Sequence, residues 1–138
     1  MSPRVGVLSR SRVGGWAEIG YLVLRLGVAF LFAFHAPQKL FGLWGSPAFP
    51  IASLRGLASG IEIVTSPLIA LGFFTSWAAI LAAAEMVGAY SVVHLPLGDW
   101  PIGNRGELAT LYFVVFVYIS FRGGGYYSLD RYLRGRVT

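Results

Sequence analysis

Six ionisable side chains lie within apolar stretches of this sequence, where an unpaired charge is costly. They are Arg25, His35, Lys39, Glu62, Glu85 and Glu107. Ionisable residues in such surroundings usually face a protein interior or a hydrated cavity, where they serve in ion pairs, proton transfer or ligand binding. The three glutamates outnumber the arginine and the lysine, so at least one carboxyl group is left to be protonated, to be bridged by Arg105 or His35, or to be used in binding. These six residues form the predicted polar interior and candidate ligand site.

The sequence offers little other chemistry. Cysteine is absent, which excludes dithiol chemistry, iron–sulfur ligation and disulfides for this chain. The sequence has no dinucleotide-binding fingerprint and no metal-ligand spacing of histidine, aspartate or glutamate. A haem held by His35 and His94 is a disfavoured alternative, because His94 lies near a loop. Redox chemistry would therefore need a borrowed centre, and no covalently bound cofactor is expected.

Four apolar stretches must position these residues, at about residues 18–41, 56–74, 77–95 and 106–121. Each approaches the roughly 20 residues that an α-helix needs to cross a bilayer. The whole sequence is 56% apolar and only 12% charged, which is unusual for a water-soluble domain. We therefore predict an all-α integral membrane protein, a four-helix bundle that forms one domain over residues 1–138. Pro67 is expected to kink the second helix.

Helix geometry predicts two levels of charge inside the bundle. The ionisable residues of the first helix share one face, because their spacing follows three- and four-residue steps. At a rise of about 1.5 Å per residue, Arg25 and Glu85 reach similar depths on the side of the termini and are predicted partners. Lys39 lies in the other half and is expected to pair with Glu62, Glu107 or both. Two interpretations remain open: the pairs lock the helices together, or they form a site for a ligand or redox partner.

Basic residues are concentrated towards the two ends of the chain, which has a net charge of +5. They are Arg4, Arg10 and Arg12 before the first apolar stretch, and Arg122, Arg131, Arg134 and Arg136 after the last. This distribution is typical of residues that flank a membrane, so no nucleic acid is expected as a partner. Because cytoplasmic segments are enriched in Lys and Arg, both termini are predicted to be cytoplasmic. Aromatic and basic residues alternate over residues 126–136, which predicts a short amphipathic helix on the inner surface.

Several short motifs together resemble the DoxX family. They are Arg25, Leu26 and Gly27 continuing to His35, Ala36, Pro37, Gln38, Lys39 and Leu40; Glu62; Asn104, Arg105, Gly106 and Glu107; and the ending from Gly123 to Asp130. The resemblance covers nearly the whole chain and implies a four-helix protein of the bacterial inner membrane. Members are named for a subunit of thiosulfate:quinone oxidoreductase, and others are associated with membrane assemblies. The resemblance therefore implies quinone as a candidate ligand, and other protein subunits besides the lipid bilayer as partners.

The function predicted from these observations is a membrane subunit of a redox-linked assembly, quinone-facing and itself without redox chemistry. As an enzyme the chain is at most one subunit of a membrane oxidoreductase. The candidate site is expected to open towards the outer side, where His35, Lys39, Glu62 and Glu107 converge. One alternative is a small-molecule or proton-handling membrane protein, in which the unbalanced glutamate is the working group. Another is a non-catalytic anchor or assembly subunit of a larger membrane complex.

Overall fold

A computed structural model describes residues 5–135 of the chain, with side chains described from residue 14 onward. Every regular element in that range is helical. The α-helices in chain order are α1 (Val5–Ala33), α2 (His35–Phe41), α3 (Leu54–Leu71), α4 (Thr75–Ala89), α5 (Glu107–Arg122) and α6 (Leu129–Arg134). The four longest helices, α1, α3, α4 and α5, form a bundle, which confirms the predicted all-α four-helix architecture.

Three described segments are long and apolar enough to cross a membrane: Gly14–Phe41, Leu54–Leu71 and Thr75–Leu97. The fourth bundle helix, α5, is shorter, with 16 residues that span about 24 Å at the usual helical rise. It packs along α4 and exposes apolar residues such as Leu111 and Val114 on its outer face. The chain is therefore a multi-pass membrane protein whose helices contact the lipid bilayer.

The first predicted helix is broken in two near its C-terminal end. Proline has no N–H to donate to the carbonyl four residues earlier, and its ring clashes with that carbonyl. For Pro37 that residue is Ala33, where α1 ends; α2 then begins at His35. The prediction of one continuous helix over residues 18–41 is therefore wrong at this point. Because α2 does not continue along the axis of α1, it can pack against α3, and it carries Lys39 towards the bundle interior.

Side-chain size sets the spacing of the helices. On α4, small residues are buried against its neighbours, namely Ala78, Ala79, Ala82 and Ala83, and they allow α5 to approach closely. Between α1 and α5 the gap is wider and is filled by aromatic rings. Phe32 of α1 lies 5.4 Å from Tyr112 and 4.8 Å from Phe116 of α5, measured between ring centroids. The helices thus follow one another around the bundle in the order α1, α3, α4, α5.

Arg25 belongs to the end of the bundle at which α5 ends and the segment before α6 packs. It is only 2% exposed. Its guanidinium donates hydrogen bonds to three backbone carbonyl oxygens, those of Ala70, Gly124 and Tyr127. The predicted pairing with Glu85 is wrong: the Arg25 side chain points towards the N-terminus of α1, as helical side chains do, while Glu85 contacts Lys39. The long Arg25 side chain therefore reaches the C-terminal segment, whereas Glu85 lies nearer the middle of the bundle.

Asp130 fastens the C-terminal segment to the turn between α3 and α4. Its carboxylate accepts hydrogen bonds from the Phe74 N–H at 2.9 Å, the Thr75 N–H at 3.0 Å and the Thr75 hydroxyl at 2.8 Å. These contacts cap the N-terminus of α4, where a negative charge is favourable. Burial by itself raises the pKa of Asp130, but these hydrogen bonds and the nearby Arg134 together hold the pKa below its ordinary value.

The described side chains near the start of α1 and the end of α5 lie at the same end of the molecule. Arg122 pairs with Glu18 at 2.5 Å, and the Tyr21 hydroxyl donates to the Gly123 carbonyl. We call this the terminal end, and the opposite one the cavity end. The predicted C-terminal helix over residues 126–136 is present as α6, although Arg136 lies outside the described residues. Arg4 and the side chains of Arg10 and Arg12 also lie outside the described part.

Candidate functional site

Three ionisable side chains from three helices meet inside the bundle. The Lys39 ammonium of α2 lies 2.6 Å from Glu62 Oε1 of α3 and 3.4 Å from Glu85 Oε1 of α4. Glu62 is 1% exposed and Glu85 8%. The predicted pairing of Lys39 with Glu62 is confirmed, whereas Glu85 takes the place that was predicted for Glu107. We call Lys39, Glu62 and Glu85 the carboxylate floor.

The carboxylate floor is not internally satisfied. Two carboxyl groups share one ammonium, so the group carries one excess negative charge unless one carboxyl holds a proton. Glu62 Oε2 and Glu85 Oε2 are both buried and have no hydrogen-bond partner within the described part of the chain. Buried polar atoms almost always have a partner, and those that lack one call for an explanation. A bound proton, a water or a ligand that donates hydrogen bonds would complete the group.

A cavity of about 520 Å³ lies above the carboxylate floor, at the cavity end of the bundle. Its polar lining includes His35, Lys39, Glu62, Glu85, Arg55 and Arg105. Its apolar lining includes Leu57, Ile61, Met86, Val92 and Leu108. A mainly apolar cavity with a few convergent polar groups is the usual form of a small-molecule site. The cavity therefore brings most of the predicted site residues together around one space.

His35 and Tyr112 form the wall beside α1 and α5. Both line the cavity, and their rings lie 5.7 Å apart at an interplanar angle of 84°. Tyr112 also stacks on Phe116, with the ring centroids 5.7 Å apart. His35 is the first residue of α2, directly after the break caused by Pro37. The position of its ring therefore depends on the same break that directs Lys39 inward. The wall thus offers a hydrogen-bonding imidazole next to aromatic surface.

The rim of the cavity is built on Asn104, which is fully buried. Its side-chain amide donates to the Gly98 carbonyl at 2.7 Å and to the Tyr90 hydroxyl at 3.1 Å, and it accepts from the Gly106 N–H at 2.8 Å. Tyr90 opens a π-helical turn, Tyr90–His94, that continues α4. Such turns are frequent at functional sites. Asn104 therefore ties the loop before α5 to an irregular turn that borders the cavity.

Two predicted site residues lie elsewhere, and two arginines outside the predicted site line the cavity. Glu107 is exposed on the first turn of α5 and is absent from the cavity lining, which corrects its predicted place in the polar interior. An acidic residue is favourable at that position because the helix N-terminus is positive. Arg25 lies at the terminal end. Arg55 and Arg105 line the cavity instead; as loop and helix-start residues, they gave no buried-charge signal in the sequence.

Comparison with known proteins gives two matches. The family model described as DoxX matches residues 20–95. An uncharacterized protein of Haemophilus influenzae is 38% identical over 120 residues, which cover 78% of this chain and 85% of the relative. No solved structure matches the chain significantly. The family match includes the carboxylate floor and His35, and it ends before the loop that carries Asn104.

Proposed function

This chain belongs to the DoxX family, and from that membership we propose that it is a membrane subunit of a redox-linked assembly whose cavity receives the head group of a quinone. The observation that carries the proposal is the pair of buried, unpartnered carboxylate oxygens on Glu62 and Glu85 beside the Lys39 ammonium. Without cysteine the chain provides no redox centre of its own. Other subunits of the assembly would therefore supply or receive the electrons.

The residues around the cavity fit a quinone head group in both of its stable forms. An oxidised ring presents carbonyl acceptors, for which Lys39 and His35 are suitable donors. A reduced ring presents hydroxyl donors, for which Glu62 Oε2 and Glu85 Oε2 are suitable acceptors. Ile61 and Met86, next to the two glutamates in the sequence, belong to the apolar surface against which an uncharged ring would pack. When bound, a quinone would supply two-electron and two-proton chemistry, and the carboxylate floor would hold or release the protons.

A second candidate function rests on the excess carboxyl group alone. Ionisable groups within membrane helices often belong to proton or substrate pathways. Glu62 and Glu85 share one ammonium, so a single proton can reside on either carboxyl beside the cavity. In this alternative the chain handles protons or a small molecule without a redox partner. It differs from the first proposal in needing no quinone.

The quinone proposal predicts that Glu62→Gln and Glu85→Gln each weaken binding of a water-soluble short-chain quinol by about tenfold, because each removes a charged hydrogen-bond acceptor. Binding is measured by calorimetry on the chain purified in lipid nanodiscs. Glu107→Gln is the matched control, since it removes the same charge at the same end of the bundle and should leave binding unchanged. Equal binding by all three variants would refute the site. Proton flux into liposomes that needs Glu62 and Glu85 but no quinone would favour the second candidate.

We further propose that the terminal end faces the cytoplasm, because Arg122, Arg131 and Arg134 lie there. The native chain has no cysteine, so a single introduced cysteine is a unique label. An impermeant thiol reagent added to intact cells should label Ile51→Cys, which lies in the loop before α3 at the cavity end. The same reagent should label Leu133→Cys in α6 only after the membrane is permeabilised. The reverse pattern would show the opposite orientation.

A further inference from the structure

Two arginines that have no acidic partner among the described residues line the mouth of the cavity. Arg55 comes from the first turn of α3, and Arg105 from the loop before α5. Within the described residues no ion pair joins either guanidinium to a carboxylate, and the floor glutamates contact Lys39 instead. Two positive charges that no described carboxylate neutralises therefore border one cavity, one from α3 and one from the loop before α5.

Arg55 is held in an orientation that suits an anion. Its guanidinium carbon lies 4.4 Å from the centre of the Phe49 ring, a cation–π contact that occupies the flat face of the group. The in-plane N–H groups remain available for oxygen acceptors, and their fork matches an oxyanion. A cation in the first turn of a helix is disfavoured by the helix dipole, whereas an anion is favoured there. An anion bound at this position would relieve that repulsion.

The backbone at Arg105 has an unusual conformation that the neighbouring residues hold in place. It has a φ of 60°, in the left-handed region that side chains other than glycine seldom adopt. The flanking residues keep it there: Asn104 is locked by its buried hydrogen bonds, and a Cβ on Gly106 would lie 2.6 Å from the Tyr90 ring. Strained backbone of this kind concentrates at functional sites, where the surrounding structure enforces it.

We propose that Arg55 and Arg105 together form an anion subsite at the mouth of the cavity, which binds a phosphate-type oxyanion. The anion is either the head group of an acidic phospholipid or a free ion from the aqueous side. Both share the chemistry that two guanidinium forks recognise, several oxygen acceptors around a negative centre. The subsite is independent of the proposed quinone function, which rests on the carboxylate floor and uses neither arginine.

The test places an environment-sensitive fluorophore at the cavity mouth through Leu57→Cys, the single cysteine of an otherwise full-length chain. The labelled protein in neutral detergent is titrated with inorganic phosphate, with phosphatidylglycerol and with phosphatidylcholine. We expect a saturable response to phosphate, to phosphatidylglycerol or to both, and none to phosphatidylcholine. Arg55→Gln and Arg105→Gln should each weaken the response by about tenfold, as loss of a charged hydrogen-bond donor implies.

Arg134→Gln is the control, because it removes the same charge from α6 at the terminal end and should leave the titration unchanged. Arg55→Lys keeps the charge but lacks the fork, so it should bind more weakly than the native chain and more tightly than Arg55→Gln. Thermal unfolding of each variant verifies that it is folded. A saturable response to either anion that both glutamine variants weaken supports the subsite and identifies its source. No saturable response, or one that both variants retain in full, would overturn it.

Discussion

Replacement of Lys39 by methionine is expected to lower the free energy of unfolding by about 3 kcal/mol, because it leaves two buried carboxyl groups without a counter-charge. Glu62 and Glu85 both depend on this one ammonium, and both are almost fully buried. Methionine keeps much of the length and apolar surface of lysine, so the loss reports on the charge rather than on packing. The measurement is thermal or denaturant unfolding in a mild detergent.

A neutral version of the same group provides the control. In the triple variant with Lys39→Met, Glu62→Gln and Glu85→Gln no charge remains in the carboxylate floor, and most of the lost stability should return. Glu107→Gln in the native background should have little effect, since Glu107 is exposed on the surface of α5. If Lys39→Met alone leaves unfolding unchanged, the ion pairs at the floor do not contribute to stability, and the geometry of the floor must be explained differently.

The arrangement of the carboxylate floor bears on whether it is a structural lock or a site. A closed lock would satisfy its charges and its hydrogen bonds internally, as buried ion pairs must to be stable. Here Lys39 neutralises at most one carboxylate, and one oxygen of each glutamate remains unpartnered beside a cavity. A group can support the bundle and still be incomplete. A proton shared between Glu62 and Glu85 would complete the group as a lock, whereas a ligand that donates hydrogen bonds to the two oxygens would make it a site.

Part of this structure could be predicted from the sequence because it depends on local pattern. Apolar length predicted the four bundle helices, and depth along the helices predicted the pairing of Lys39 with Glu62. Depth along the helix predicted the wrong partner for Arg25, because the depth of a residue locates its Cα atom and not the end of a long side chain. It failed for Glu107 because a residue at a helix start also has a favourable exposed position. The direction of helical side chains would have corrected the prediction for Arg25, and the helix dipole would have corrected that for Glu107.

The cavity rim could not be predicted because it depends on contacts between segments. Asn104 reads as an ordinary loop residue in the sequence, yet its buried amide joins the loop to the π-helical turn. Arg105, which follows Asn104 directly, has a left-handed backbone conformation beside the cavity. The break between α1 and α2 does not depend on contacts between segments. It follows from the missing N–H of Pro37 and the four-residue step of the helix.

Replacement of Arg25 by methionine is expected to destabilise the chain by about 3 kcal/mol or more, because three buried or partly buried carbonyl oxygens lose a charged donor. These carbonyls belong to the end of α3 and to the segment before α6, so one side chain joins α1 to both. Arg25→Lys should recover only part of the loss, since a single ammonium cannot reproduce the spread of the guanidinium fork. Unfolding in detergent gives the stability change.

The matched control for Arg25 is Arg122→Gln. Arg122 lies at the same terminal end, but its pair with Glu18 is partly exposed, and such pairs contribute about 0–1 kcal/mol. Without the Arg25 hydrogen bonds, the C-terminal segment should detach before the bundle unfolds. Arg25→Met is therefore expected to speed proteolysis after residue 122 while α3 and α4 remain protected. Equal effects of Arg25→Met and Arg122→Gln on both measurements would show that Arg25 is not the main contact that attaches the C-terminal segment to the bundle. The Asp130 contacts to Thr75 would then be the main attachment of the C-terminal segment.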